Sequence, residues 1–299
     1  MLAVMTTGSS TLPLPQRFEL WARLTRLDKP IGVLLLLWPT LTALWLAAGG
    51  LPPLSILAIF VAGTFLMRSA GCAVNDVADR EFDRHVQRTQ TRVVNSGLVS
   101  PREALMVALV LALAAGLLVL PLNVLTWKLS VLALAIAAAY PFFKRFFAVP
   151  QAFLGIAFSF GIPMAFAAVR GDVPLAAWGL MLANLFWVVA YDTEYALVDI
   201  ADDRRIGIRT SAITFGGAVV PITMACYCVF LAGMVALGFA FERHAFYWTG
   251  LAVATVLALY HGWLIRRREP AACFRAFLNN HWLGAAIFAG VVFDHVAFG

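Results

Sequence analysis

Long apolar runs separated by short turn-forming breaks dominate the chain. A run of about 20 mostly apolar residues is long enough to cross a bilayer core as a helix. Nine runs of this kind are present, at 31–48, 54–74, 103–121, 126–142, 150–168, 174–192, 211–239, 246–265 and 280–297. Glycine and proline punctuate several of them, as in Gly49-Gly50-Leu51-Pro52-Pro53 and Leu120-Pro121-Leu122-Asn123, and the 142–150 break carries Lys144, Arg145 and Pro150. A membrane β-barrel would instead show short segments alternating between polar and apolar positions. The pattern therefore predicts an all-α fold: a polytopic membrane protein with nine transmembrane helices. No polar stretch between the runs is long enough for a soluble domain. The expected organisation is one membrane-embedded domain over 1–299, with a flexible N-terminal tail at 1–18.

Composition strengthens this reading. The 299 residues are 62% hydrophobic and only 13% charged, with mean hydropathy +0.85; soluble domains carry about 25% charged residues. Charge also sets an orientation, because Lys and Arg accumulate on the cytoplasmic side of membrane proteins. With the N-terminus cytoplasmic and nine crossings, only Lys128, Arg170 and Arg243 of the 22 Lys and Arg fall on the far side. The net charge of +6 is then mostly a topology signal and requires no nucleic acid. The first 30 residues lack the apolar core of a signal peptide and are poor in Arg for a mitochondrial presequence. Insertion into a bacterial cytoplasmic membrane is the expectation. Cys72, Cys226, Cys228 and Cys273 lie in or near apolar runs, without zinc-ligand spacing, and read as packing thiols.

Against this background the acidic residues are unevenly placed. Of 16 in the chain, nine fall in two stretches: Asn75-Asp76-Val77-Ala78-Asp79-Arg80-Glu81-Phe82-Asp83, and 192–203, from Asp192 to Asp203. Carboxylates concentrated beside a bilayer are costly unless a positive partner binds there. Residues four apart share a helix face, about 6 Å apart along the axis. Asn75, Asp79 and Asp83 thus form one stripe of oxygen ligands, and Asp199 and Asp203 form another. Where each stripe continues its transmembrane helix, the helix C-terminus also favours a cation. Hard oxygen donors without His or Cys select Mg²⁺, which completes its shell with water and substrate phosphates. Two such stripes, facing each other, would hold a diphosphate through bridging Mg²⁺. The spacing of Asn75, Asp79 and Asp83 is echoed by Tyr195, Asp199 and Asp203, a weak internal repeat.

Basic residues suited to a diphosphate accompany the stripes. Arg68 lies about two turns before Asn75 within an apolar run, where a cation needs a partner. Lys29 precedes the first run, Tyr140 and Lys144 are four apart at the end of the fourth, Arg88 and Arg92 follow the first stripe, and Arg209 follows the second. Arg80, Arg84, Arg204 and Arg205 read as ordinary cytoplasmic charges. A cation channel or coupled transporter would place its acids at mid-membrane or in a symmetric ring; here they sit at the ends of apolar runs.

The NDxxDxxxD stretch at 75–83, YxxxK at 140–144 and DxxxD at 199–203 together resemble the intramembrane aromatic prenyltransferases. Arg26-Leu27-Asp28-Lys29-Pro30-Ile31-Gly32, Leu66-Met67-Arg68-Ser69-Ala70-Gly71-Cys72, Tyr191-Asp192-Thr193-Glu194-Tyr195-Ala196 and 272–280 are similar to the 4-hydroxybenzoate polyprenyltransferases of ubiquinone biosynthesis. The likeness runs from about 20 to 295. It departs at Arg92, which is followed by Val93 where the family usually has proline, a change that bears on loop rigidity. The resemblance implies helices around a central cavity open to lipid, a polyprenyl diphosphate and 4-hydroxybenzoate as substrates, Mg²⁺ as cofactor and an active site on the cytoplasmic side. Asn75, Asp79, Asp83, Asp199 and Asp203 would hold metal. Lys29, Arg68, Arg88, Arg92, Tyr140, Lys144 and Arg209 would meet the diphosphate, and Arg145 the aromatic carboxylate. Asp79, Asp83, Asp199, Asp203, Lys144 and Asp192 would carry the catalysis, with Asp192 or a diphosphate oxygen as the proton acceptor. Another aromatic acceptor is the alternative within the same superfamily.

Overall fold

The computed structural model describes residues 13–86, 88–143 and 147–299. Among them every regular element is helical. In chain order these are α1 (Leu14–Leu24), α2 (Ile31–Ala48), α3 (Leu54–Ala78), α4 (Arg80–Asp83), α5 (Pro101–Val119), α6 (Val124–Phe143), α7 (Pro150–Ser159), α8 (Gly161–Arg170), α9 (Leu175–Ala196), α10 (Ile200–Ile206), α11 (Ser211–Phe215), α12 (Val219–Ala240), α13 (Ala245–Ile265) and α14 (Pro270–Phe298). Eight stretches among the described residues are helical, long and apolar enough to cross a membrane; the apolar part of α6, Val124–Tyr140, is a shorter one.

Several predicted runs acquire internal detail. The 150–168 run is two helices, α7 and α8, meeting at Phe160. Pro163 has no N–H to give to the preceding turn, so the first turn of α8 is a natural place for the break. The run at 211–239 is likewise divided, by a short 3₁₀ turn at Gly216–Ala218. The last helix begins at Pro270, well before the predicted 280. At the other end of the chain, α1 starts at Leu14, inside the stretch 1–18 expected to be a flexible tail.

Local chemistry explains the helix ends. Asn123 accepts from the Thr126 N–H at 2.9 Å, capping α6, while its Nδ2 donates to the Ala167 carbonyl at 2.6 Å near the end of α8. Ser100 caps α5 by accepting from the Glu103 N–H at 3.1 Å, with Pro101 at the first helical position. Gly171 ends α8 with φ 79°, a left-handed conformation that a side chain would strain.

The contacts gather into two compact units. Among the described residues, the first comprises 13–30 and Phe65–Leu117. Its apolar core joins Leu24 to Ala70, Ala73, Val93, Val94, Val99, Ala104 and Ala108. Glu103 anchors α1 within it, accepting from Arg17 Nη2 at 2.7 Å and Trp21 Nε1 at 2.9 Å.

The second unit comprises Ile31–Thr64 and Leu118–Gly299. Its core is built around Trp187, Tyr191, Tyr227, Phe230 and Leu283, all buried. Membrane helices gain no hydrophobic drive toward each other from lipid, so close backbone approach matters. Small residues supply it here. A Cβ on Gly250 of α13 would come within 2.6 Å of the Ala286 carbonyl oxygen and 3.0 Å of Gly290 Cα on α14. A Cβ on Gly161 of α8 would meet Thr40 Oγ1 of α2 at 2.6 Å.

Candidate active site

The two acidic motifs have the same local construction. In the first, α3 ends at Ala78 and Asp79 stands at the N-cap of α4 with φ −94° and ψ 0°. In the second, α9 ends at Ala196 and Asp199 stands at the N-cap of α10 with φ −103° and ψ 8°. Both aspartates occupy the sparsely allowed bridge region, where many active-site residues sit. Each is followed by one closed turn: the Asp83 N–H donates to the Asp79 carbonyl at 2.8 Å, and the Asp203 N–H to the Asp199 carbonyl at 2.9 Å. The stripes therefore do not continue their transmembrane helices, as the sequence suggested. A break precedes each closing turn, while the four-residue spacing of the carboxylates is kept.

In the first unit, Asn75 lies half-buried near the end of α3, and Asp79 and Asp83 are buried. Asp76 is more deeply buried, at 1% exposure, and binds two guanidinium groups. Its Oδ1 accepts from Arg26 Nη2 at 2.7 Å and Arg92 Nη1 at 3.1 Å. Arg92 also donates to Asp83. The predicted diphosphate contact Arg92 is thus the clasp between Asp76 and the metal-ligand candidate Asp83. Arg68 is half-buried on α3, whereas Lys29 and Arg88 are exposed.

The loop that carries Arg92 lacks the family's proline but is held by other means. Thr89 Oγ1 donates to the Asp83 carbonyl at 2.8 Å, Asn95 Nδ2 to the Thr89 carbonyl at 3.0 Å, and the Val99 N–H to the Val93 carbonyl at 3.0 Å. Val93 and Val94 are buried in the core of this unit.

In the second unit, Asp199 and Asp203 flank the first turn of α10, and Gly207 ends that helix with φ 75°. Asp203 is buried, Asp199 and Asp192 are half-buried, and Arg209 is exposed in the loop before α11. That loop is tied from below: the Ser211 N–H donates to Gln151 Oε1 at 2.9 Å, and Ser211 Oγ lies 2.7 Å from Thr193 Oγ1. Tyr140, near the end of α6, stacks on Phe153 with ring centroids 6.5 Å apart. Lys144 and Arg145 lie outside the described residues.

The donor chemistry fits a hard divalent cation. Each motif offers carboxylate oxygens at one-turn spacing, the first with an amide oxygen as well, and Mg²⁺ asks for one or two carboxylates with water and phosphate completing its shell. Among the described residues no group of three or more His, Cys, Asp or Glu converges as a metal cage.

Two features were not read from the sequence. One is the pairing of Asp76 with Arg26, although an acid in the last turns of an apolar helix was a signal that it needed a cation. The other is a buried polar cluster around Glu194. Its signal was the presence of Glu194, His261 and Asn280 within otherwise apolar helices.

Comparison with known proteins agrees with this construction. The chain matches the UbiA prenyltransferase family over residues 36–284, which takes in both acidic turns. It is 62% identical over 285 residues to the 4-hydroxybenzoate octaprenyltransferase of Nitrosospira multiformis, covering 95% of this chain and 98% of that one. It is 59% identical over 280 residues to the protein of the same name from Herminiimonas arsenicoxydans, covering 94% and 99%. The apo structure of a UbiA homolog from Aeropyrum pernix K1 superposes with a TM-score of 0.78 at 25% identity, covering 88% of this chain and 97% of that one. A UbiA homolog from Archaeoglobus fulgidus, solved with GPP and Mg²⁺, shares the fold with a TM-score of 0.68 at 16% identity, covering 93% and 99%. With the family match extending over most of its length and high-identity relatives aligned nearly end to end, the chain belongs to the UbiA prenyltransferase family.

Proposed function

We propose that this protein transfers a polyprenyl group from its diphosphate to the ring carbon ortho to the hydroxyl of 4-hydroxybenzoate, releasing diphosphate, as a step of ubiquinone biosynthesis. The observation that carries the choice of acceptor is the 62% identity, over 95% of the chain, to a 4-hydroxybenzoate octaprenyltransferase. The two like-built acidic turns support the reaction class. In this reading the protein lies in a bacterial cytoplasmic membrane with nine crossings, the N-terminus and both acidic turns on the cytoplasmic side.

Asn75, Asp79 and Asp83 would hold one Mg²⁺, and Asp199 and Asp203 another. Bound there, Mg²⁺ supplies neutralisation of the charge that grows on the leaving diphosphate. Lys29, Arg68, Arg88, Arg92, Lys144 and Arg209 serve the same end by donating to phosphate oxygens, with Tyr140 orienting Lys144. The bond between the allylic carbon and the diphosphate oxygen breaks, and its electron pair leaves with the diphosphate. The ring carbon ortho to the hydroxyl bonds to the allylic cation. Asp192 or a diphosphate oxygen takes the displaced ring proton and restores aromaticity, and Arg145 holds the carboxylate of the acceptor.

The test is an assay of purified protein with Mg²⁺, a labelled polyprenyl diphosphate and 4-hydroxybenzoate, with extraction of the lipid product. A prenylated hydroxybenzoate that vanishes with EDTA is the expected result. No product from correctly inserted protein, across several prenyl lengths, would overturn the assignment of the acceptor.

A further inference from the structure

Within the second unit, four helices contribute polar side chains to one buried cluster. Glu194 comes from α9, Tyr227 from α12, His261 from α13 and Asn280 from α14, and none is more than 1% exposed. Tyr227 Oη lies 2.9 Å from Glu194 Oε1, 3.0 Å from His261 Nδ1 and 2.8 Å from Asn280 Oδ1. Asn280 Nδ2 donates to Glu194 Oε2 at 2.8 Å and to the Ala276 carbonyl at 3.0 Å. Asn280 Oδ1 also accepts from Trp187 Nε1 at 2.8 Å.

The protons in this cluster can be counted. Trp187 can only donate, so the Asn280 atom facing it is the oxygen, and that oxygen can only accept. Tyr227 has a single hydroxyl proton, and its contact with Asn280 Oδ1 requires that proton. The contacts with His261 Nδ1 and Glu194 Oε1 must then bring their own. Tyr227 Oη has two lone pairs to receive them, one from an imidazole N–H and one from a carboxylic acid O–H. This assignment leaves none of the three contacts around Tyr227 without a proton; the other ring nitrogen, His261 Nε2, lies 2.9 Å from the Asn279 side-chain amide, which must turn its N–H₂ toward that nitrogen for the imidazole to stay neutral. A bare O···O contact inside a bilayer would leave a buried polar group unpaired, which is costly.

The cluster also has a place in the fold. Glu194 and His261 lie near the C-terminal ends of α9 and α13, and Tyr227 and Asn280 lie toward the N-terminal halves of α12 and α14. Five residues after Glu194 the chain reaches Asp199, and Asp203 closes the following turn. Glu194 thus pins the last turn of α9 to three neighbouring helices, immediately before the break that presents the two aspartates.

We propose that Glu194 is a neutral carboxylic acid, neither metal ligand nor base, and that through Tyr227, His261 and Asn280 it positions the Asp199–Asp203 turn for the cation. The positioning role rests on the reading of those aspartates as metal ligands. The isosteric amide should replace such an acid, because a glutamine N–H can donate to Tyr227 Oη while its oxygen accepts from Asn280.

Two measurements test this. First, the infrared difference spectrum between wild type and Glu194→Gln at neutral pH should contain a protonated-carboxyl C=O band contributed by the wild type. Carboxylate bands in its place would overturn the neutral-acid assignment. Second, Mn²⁺ can be titrated by electron paramagnetic resonance in the presence of inorganic diphosphate. Glu194→Gln should bind within about threefold of wild type, and Glu194→Ala about tenfold or more weaker, the range seen when partners that orient metal ligands are removed. Where Glu194→Ala fails to insert, Tyr227→Phe takes away the central hydroxyl while keeping the ring, and carries the same expectation. Loss of Mn²⁺ binding in Glu194→Gln would show that the charge of Glu194 is what matters and would overturn the proposal. Normal Mn²⁺ binding in Glu194→Ala or Tyr227→Phe, with only a lowered melting temperature, would overturn the positioning role alone. An Asp199→Ala control that binds Mn²⁺ like wild type would overturn the metal reading itself and the positioning role with it.

Discussion

At the scale of single residues, the first acidic motif depends on an aspartate that no ligand pattern singles out. Asp76 is 1% exposed and accepts from Arg26 and Arg92, and Arg92 in turn holds Asp83. Removing one member of a buried ion pair leaves the others uncompensated, at a cost of about 3–5 kcal/mol. Asp76→Ala is therefore expected to lower the thermal midpoint in detergent sharply, and Asp76→Ala with Arg26→Leu to recover part of the loss. A midpoint unchanged in the single variant would show that the two guanidinium groups find other partners. The metal-ligand candidates should behave differently. In the proposed mechanism Asp79 and Asp199 meet the metal, so Asp79→Ala and Asp199→Ala should each cut prenyl transfer by about 100-fold or more at saturating Mg²⁺ in correctly inserted protein. Turnover close to wild type in either would remove that residue from the mechanism.

At the scale of elements, the apolar pattern located the helices because bilayer thickness dictates run length, and each of the nine predicted runs is largely helical. What it missed was local. The start of α14 at Pro270 escaped because Arg275 and Asn279 lower the hydropathy ahead of the predicted start at 280, yet Asn279 lies 2.9 Å from His261 Nε2 of the buried cluster. Apolar content alone cannot tell a polar residue with a partner from one facing water. The break between α7 and α8 was hidden for a related reason, since both halves are apolar and only Pro163 hints at it. The spacing of the acids was legible, but the helix breaks at Asp79 and Asp199 were not, because an α-turn on either side of a break preserves a four-residue spacing. Close packing was also outside the pattern, and it leads to a test. Gly250→Leu should drive α13 from α14 and cost about 1–3 kcal/mol, seen as a lower midpoint in detergent. Gly63→Leu is the control: a Cβ there meets nothing within 4 Å, and the midpoint should hardly move. Equal losses in both would deny a special role to the small-residue contact.

At the scale of the whole molecule, the number of crossings turns on α6. Its apolar stretch, Val124–Tyr140, is 17 residues, which at 1.5 Å per residue spans about 26 Å, slightly short of a hydrocarbon core of about 30 Å. Lys128 lies one turn into it and can extend its ammonium to the interface, which eases a short helix into the bilayer. If α6 crosses, the loop at Asp172 is on the outside and the Arg266-Arg267-Arg268 cluster is inside, as the positive-inside rule favours. If α6 does not cross, every later loop is inverted, that arginine cluster faces outward, and the second acidic turn is on the outer side. Single cysteines placed in a background lacking Cys72, Cys226, Cys228 and Cys273 separate these cases. Leu51→Cys and Asp172→Cys should react with a membrane-impermeant maleimide in intact spheroplasts, whereas Leu98→Cys and Arg267→Cys should react only after permeabilisation; all four positions are exposed. Labelling of Leu51→Cys together with protection of Asp172→Cys would mean that α6 stays on one side. The charge asymmetry argues against that outcome, because it would place three consecutive arginines on the outer face.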